Sequence, residues 1–344
     1  MSRFSKLGDR VKQRARDLVG PERRADAVRG RPAEEIQAAV LKQAAQELAT
    51  ATPRPGLLPT PERPEPPTGA RNYVLVVLDS LRFDSLMAAA PRVLPRLGPI
   101  ERRYSYATWT APSHYNLLMG LLPHPSPTHV FASTWYKQDF LRFGERLGVP
   151  GLDFAGMIPR LWMPDHLRNQ LGYHTRALVS MPVLNPHTPI NVAFDSYALA
   201  ERHNDLSAMI DAMHFDPDRP TFWLLNTGEA HYPYALPSEP EADWPRIHGL
   251  NGVFQQVSAG HALRQEYAPR FFDQDRLDAL RQRQVEAAAY LDGVMEKLLD
   301  CVPPGTWVTI TSDHGELFGE GGWFGHGPIH HEKVLEVPLV EGLA

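Results

Sequence analysis

Apolar residues fall along this chain in two rhythms. Tyr73–Leu78 (YVLVVL) is a continuous apolar run, as expected of a strand buried on both faces. Ala177–Val179, Phe222–Leu225 and Trp307–Ile310 are shorter runs of the same kind. Between them lie helical patterns, the clearest being Arg276–Asp300. Its Leu280, Val285, Leu291, Val294 and Leu298 roughly follow a helical period, and Pro303-Pro304-Gly305 stops it and turns the chain into the next strand. Strands alternating with helices predict an α/β fold, a mostly parallel central sheet with helices on both faces.

The first 71 residues read differently. Glu34–Ala49 is rich in helix formers, with Ile36, Val40 and Leu48 on related faces. Phe4, Leu7, Val11 and Leu18 form a loose apolar stripe at helical spacing. Seven of the fifteen positions from Pro53 to Pro67 are proline, which favours extended polyproline conformation and a linker. The predicted organisation is a partly helical arm (1–52), a linker (53–71) and a catalytic domain (72–344).

Charge sharpens that division. Residues 1–31 carry ten basic and four acidic side chains, a net of +6, which leaves −11 on the remainder against −5 overall. Such an arm suits an anionic surface or a partner protein. One cysteine, Cys301, excludes a disulfide framework and a Cys-rich zinc module. No apolar run approaches the ~20 residues that span a bilayer, and no secretory signal is visible at the N-terminus, so the expected location is cytoplasmic. Self-association is left open.

In parallel sheets, sites lie beyond the C-terminal ends of strands. Asp79 follows the first apolar run, and Asp313-His314 follows Trp307–Ile310 with Thr311 and Ser312 between. His231 lies beyond Phe222–Leu225, in Glu229-Ala230-His231-Tyr232-Pro233-Tyr234. Two adjacent ligand-type residues at a strand end suit a divalent metal with mixed oxygen and nitrogen donors. Thr110 opens Thr110-Ala111-Pro112-Ser113-His114, where Pro112 suits the first turn of a helix and helix starts favour anions. Read alone, Asp79 and Thr110 also fit helix N-caps.

Taken together and in this order, VLVVLDSLRFD, TWTAPSHYNLLMG, HYPY and the late region through SDHGE, GEGGWFGHG and VPLV resemble the sulfatase-like branch of the alkaline phosphatase superfamily. The resemblance covers residues 72–344 and is thin between 120 and 215. It implies Asp79, Thr110, Asp313 and His314 as metal ligands, with Thr110 also the nucleophile. It implies His231 and His326 as catalytic and substrate-binding residues, with His114 and His330 as further substrate contacts. Glu316 and Glu332 read as loop supports, and Gly319–Gly327 as a mobile loop carrying His326.

The resemblance further implies one divalent metal ion (Zn, Mn, Mg or Ca), with a second left open because Glu229 and His231 only partly match a two-metal pattern. The implied activity is phosphoryl transfer from a small-molecule phosphate or phosphonate ester, through a covalent phospho-threonine. Thr110 stands where sulfatases need Cys or Ser, which disfavours sulfate ester hydrolysis. Transfer to an alcohol acceptor, hydrolysis of a small-molecule sulfate ester, and a catalytically weak binding or assembly role are the alternatives.

Overall fold

The computed structural model describes residues 63–126, 133–152, 161–245 and 273–344. The basic arm, the helix expected at 34–49 and the first part of the Pro-rich stretch lie outside the described residues. In chain order the elements are β1 (Tyr73–Leu78), α1 (Phe83–Ala88), α2 (Leu94–Leu97), β2 (Glu101–Tyr104), α3 (Thr110–Leu118), α4 (Ser133–Leu141), α5 (Phe143–Leu147), α6 (Met163–Asn169), β3 (His174–Val179) and β4 (Ser196–Leu199). Then come α7 (Leu206–Asp211), β5 (Thr221–Thr227), α8 (Gln274–Cys301), β6 (Trp307–Thr311), β7 (Leu317–Phe318), β8 (Phe324–Gly325), α9 (Glu332–Leu335) and β9 (Glu336–Leu343).

Seven strands form one sheet in the order β2-β9-β6-β1-β5-β3-β4. β1 pairs in parallel with β5 and β6, and β3 in parallel with β4 and β5. β9 runs antiparallel to both β2 and β6. Alternation along β1 explains its unbroken apolar run. Tyr73, Leu75 and Val77 face one core with Leu117, Phe140, Phe143, Leu147 and Leu167. Val74, Val76 and Leu78 face the other, with Leu86, Leu94, Leu206, Ile210, Leu291 and Leu298. Both faces of the strand are therefore dry, and each such side chain contributes about 1.5–3 kcal/mol by leaving water. This is the α/β architecture that the resemblance implies.

The helix predicted over 276–300 spans Gln274–Cys301, capped by Asp273, whose side chain accepts from Asp275 N. Its buried face differs in one telling place. Gln284 is fully buried while Val285 is partly exposed. Gln284 Nε2 donates to Ser80 O and Ala230 O, both at 3.0 Å, so the helix anchors two site loops through one amide. Asp292, about two turns further along the same helix, accepts from the backbone N–H groups of Arg92, Val93 and Leu94 and so caps α2 from a distance.

Residues 63–71, read from composition as linker, lie against the body. Arg219 Nη1 donates to Pro64 O at 2.9 Å, Arg71 N to Leu147 O at 2.9 Å, and Tyr173 Oη to Arg71 O at 2.8 Å. Prolines bring no N–H of their own, so their carbonyls are available to such donors. Among the described residues, no helix is long and apolar enough to cross a membrane.

Candidate active site

The sheet register explains why distant carboxylates meet. Leu78 pairs with Thr227 across β5, and Val77 with Thr311 across β6. All three strands point the same way, so Asp79, Gly228 and Ser312-Asp313 emerge at one edge. Asp79 N donates to Thr227 O at 2.9 Å, which extends the ladder one residue into the site. Ser80 then turns with φ +63°, a left-handed conformation that strains a side-chain-bearing residue by about 1–2 kcal/mol. Two bonds hold the turn: Ser80 N donates to Asp313 Oδ1 at 3.1 Å, and Ser80 O accepts from Gln284.

Asp79, Asp313 and His314 are fully buried or nearly so, and each offers a donor atom within 4.8 Å of the others. The orientation of His314 is informative. Its Nδ1 lies 2.9 Å from Gly315 O, a carbonyl that only accepts, so Nδ1 carries the proton and Nε2 the lone pair. Nε2 faces Asp313 Oδ2 at 3.3 Å, Thr110 Oγ1 at 3.3 Å and Asp79 Oδ1 at 4.0 Å. Asp313 Oδ2 is buried without a hydrogen-bond partner. Lone pairs thus converge on one point, and a divalent cation is what such a donor set fits. The neighbouring bonds complete the picture: Asn226 Nδ2 donates to Asp79 Oδ2 at 3.1 Å, and His314 N donates to Asp313 Oδ1 at 2.9 Å.

Titration follows from the same crowding. Burial and the adjacent charge of Asp79 push the Asp313 carboxyl well above the usual range. Asp79 goes the other way: burial works against it, but the surrounding imidazoles of His231, His314, His114 and His326 hold it down. Burial, with His326 nearby, drives His314 well below the ordinary histidine value, so it stays neutral as a ligand must.

Thr110 is the first residue of α3 rather than its cap. Trp109 occupies the N-cap with extended φ/ψ and no side-chain cap bond, and Asp79 caps no helix either. The N-cap alternative for both residues is therefore set aside. The N–H groups of Thr110 and Ala111 have no i−4 partner by position, and Pro112 brings none, so the helix start presents donors beside the hydroxyl.

His231 and His326 are brought to the same place. The His326 ring lies 4.2 Å from that of His314 and 5.3 Å from that of His231, centroid to centroid. His231 Nδ1 donates to Tyr232 O at 2.7 Å, which leaves Nε2 as its free nitrogen. His326 Nδ1 donates to Glu316 Oε1 at 3.2 Å. Burial lowers the pKa of His326, but the Glu316 carboxylate overcomes this and the net displacement is upward. Glu316 is held in turn by the Tyr234 hydroxyl on its other oxygen. Glu316 is thus a support, as expected, but one that acts on a site histidine.

The segment 319–327 holds the turn and second strand of the short β7-β8 hairpin and the two residues that follow it: Gly319 N donates to Trp323 O at 2.8 Å, and Phe318 and Phe324 pack with Tyr234, Leu277 and Leu280. Arg82 pins its base through Glu316 O and Glu320 Oε1, at 3.1 and 2.5 Å. His114 is fully buried, its Nδ1 donating to Thr110 O at 2.8 Å and lying 3.7 Å from Asp313 Oδ2, and its Nε2 has no hydrogen-bond partner. It supports the helix turn that carries Thr110. His330 is exposed and makes no hydrogen bond or ring contact with the cluster, while its neighbour His331 caps α9 by accepting from Lys333 N. The structure brings His114 to the cluster and leaves His330 outside it.

Glu229 is fully buried and turned away, accepting from Leu206 N at 2.7 Å and from the Thr227 hydroxyl. Among the described residues, Asp79, Asp313 and His314 form the one acid–histidine group of metal-binding dimensions. Asn226, Ser80 and Gln284 were not foreseen as site supports. The signal available for them was a polar residue where an apolar one would fit the pattern.

No known family model matches the chain, and no curated protein matches it. Among solved structures it is similar to the C-terminal periplasmic domain of EcEptC from Escherichia coli in complex with Zn (14% identity, 82% of this chain and 77% of that chain, TM-score 0.47). It is also similar to the integral membrane protein lipooligosaccharide phosphoethanolamine transferase A (EptA) from Neisseria meningitidis (16% identity, 99% and 60%, TM-score 0.45) and to phosphonate monoester hydrolase of Agrobacterium radiobacter (15% identity, 79% and 68%, TM-score 0.45). At these identities and scores the likenesses carry no residue-level correspondence, and the roles of Asp79, Thr110, Asp313 and His314 rest on their geometry.

Proposed function

We propose that the protein is a metal-dependent phosphoryl-transfer enzyme acting on small-molecule phosphate or phosphonate esters, with Thr110 as the nucleophile. The observation that carries this reading is the position of Thr110 Oγ1. It lies at a helix start and 3.3 Å from the lone-pair nitrogen of His314, on the rim of a buried donor set. Asp79, Asp313, His314 and Thr110 would hold one divalent cation. When bound, such an ion polarises phosphoryl oxygens and lowers the pKa of a neighbouring hydroxyl.

The chain's own residues supply the rest. The backbone N–H groups of Thr110 and Ala111 donate to non-bridging oxygens, and His231 in its imidazolium form donates Nε2–H to the same group. Thr110, its hydroxyl proton released to bulk water under the lowered pKa that a bound cation would supply, attacks phosphorus through Oγ1 as the alkoxide, and the bond from phosphorus to the leaving oxygen breaks. His326, kept protonated by Glu316, gives its proton to that leaving oxygen. The result is a phospho-threonine. Water then attacks phosphorus, giving one proton to the now neutral His326 and keeping the other on the released phosphate, and the Thr110 oxygen leaves as the alkoxide in which it began. Residues beyond the cluster decide whether water or an alcohol takes the phosphoryl group.

Purified protein with Zn or Mn is to be assayed on nitrophenyl phosphate mono- and diesters. Thr110→Ala is expected to lower kcat by ~10³-fold or more. Wild-type turnover in that variant would remove the assignment. A rate that rises with added alcohol would identify a transferase.

A further inference from the structure

An indole stands open beside this site. Trp109 is 41% exposed although it directly precedes the buried Thr110. It is the N-cap residue of α3, in an extended conformation, and Thr110 follows it as the first helical residue. The backbone of Gly327 lies against the ring: a Cβ built there would sit 4.0 Å from Trp109 Cε3. Gly327 N also donates to Thr108 O at 3.1 Å, so the two loops are tied at this point. Gly327 has φ +111°, a conformation open to glycine and strained for other residues, and this keeps the approach free of a side chain. It directly follows His326. The indole is therefore carried by the residue before the nucleophile and lies near the residue after the proposed proton donor.

A large apolar ring held at such a place has an unspent stacking face, and aromatic pairs gain from offset or edge contact beyond simple burial. We infer that Trp109 is a specificity-determining residue that packs against a flat, aromatic leaving group, so that aryl esters rather than small alkyl esters are the preferred substrate class. The inference rests on the phosphoryl-transfer reading above, in which His326 serves the leaving oxygen.

The test compares phenyl phosphate with methyl phosphate on the full chain loaded with Mn. The quantity read is the ratio of their kcat/KM values, in wild type, Trp109→Ala and Trp109→Phe. Because both esters meet the same sample, a partly misfolded variant alters both values alike and leaves the ratio intact. The phenyl-to-methyl ratio is expected to fall ~10-fold in Trp109→Ala and to return most of the way in Trp109→Phe. An unchanged ratio in Trp109→Ala would overturn the inference. Calorimetric binding of phenylphosphonate and methylphosphonate to the same proteins separates the two claims. If wild type turns over neither ester, the reaction assigned above fails. The phenyl-to-methyl Kd preference of wild type against Trp109→Ala then decides the role of Trp109 by the same criterion.

Discussion

Two groups of buried charged residues, one around Glu341 and one around Asp313, differ in whether they balance themselves. Around Glu341 the carboxylate meets guanidinium groups: Arg146 Nε at 2.8 Å, Arg146 Nη2 at 3.1 Å and Arg142 Nη1 at 2.8 Å. Thr309 adds its hydroxyl at 3.1 Å. Burial works against the ionised form of Glu341, but Arg146 and Arg142 hold its carboxyl below the usual range. Around Asp313 the neighbours are another carboxylate and a lone-pair nitrogen, and one oxygen has no partner. There the carboxyl is driven up. The same burial gives opposite titrations because one group contains its counter-charge and the other awaits it from outside. A self-balanced cluster reads as architecture, and an unbalanced one reads as a binding site.

The largest effect on this contrast is expected at Arg146. It is fully buried, bidentate to Glu341 and set over the Phe143 ring at 4.6 Å. Arg146→Ala leaves Glu341 buried without its main partner, and urea denaturation is expected to show a loss of about 3–5 kcal/mol. A loss under 1 kcal/mol would erase the distinction.

The second test acts on the other cluster. Zn or Mn at 100 times its Kd is expected to stabilise wild type by about 2.7 kcal/mol, seen as a rise in Tm. Asp313→Asn is expected to abolish that rise. Without metal the sign reverses: a carboxyl with a raised folded pKa costs stability once pH exceeds its unfolded value, so the neutral amide should melt higher than wild type at pH 7. Identical metal responses in both proteins would contradict the assignment.

A smaller effect belongs to Asp84, which joins the features of the two clusters. Burial pushes its carboxyl up, but two bonds from Arg82, at 2.8 and 2.6 Å, prevail and take it to about 2. Its folded pKa is depressed, so its stabilisation is present above the unfolded value and is lost as pH falls through about 2. Asp84→Asn should flatten acid unfolding below pH ~4, by on the order of 1 kcal/mol after solvent screening. An unaltered acid limb would show that Asp84 adds nothing to the hold that Glu316 O and Glu320 have on Arg82.

Much of the fold was legible in the chain, and the reasons are local. β1, β5 and β6 are continuous apolar runs because both of their faces are dry, and α8 carries its own period and stop signals. β2 (ERRY) and β4 (SYAL) are sheet edges of four residues with polar or exposed positions, so nothing local marks them. Asp79, Asp313 and His314 were legible as candidate ligands because they follow strands. Their supports were not. Gln284 and Asp292 look like solvent-facing residues of a helix, and their partners lie some 200 positions away. The hairpin of His326 looked loose because glycines suggest freedom. Gly319, Gly325 and Gly327 instead take positive φ values that its turns require.

The central claim is that Thr110 accepts the phosphoryl group. Its most direct test is mass spectrometry of full-length protein quenched in acid during turnover of a nitrophenyl phosphate ester with Mn. The account predicts a phosphorylated peptide with the phosphate on Thr110, absent from Thr110→Ala and from wild type without metal. Steady turnover with no phosphate on any residue, or with phosphate on another residue, would contradict it.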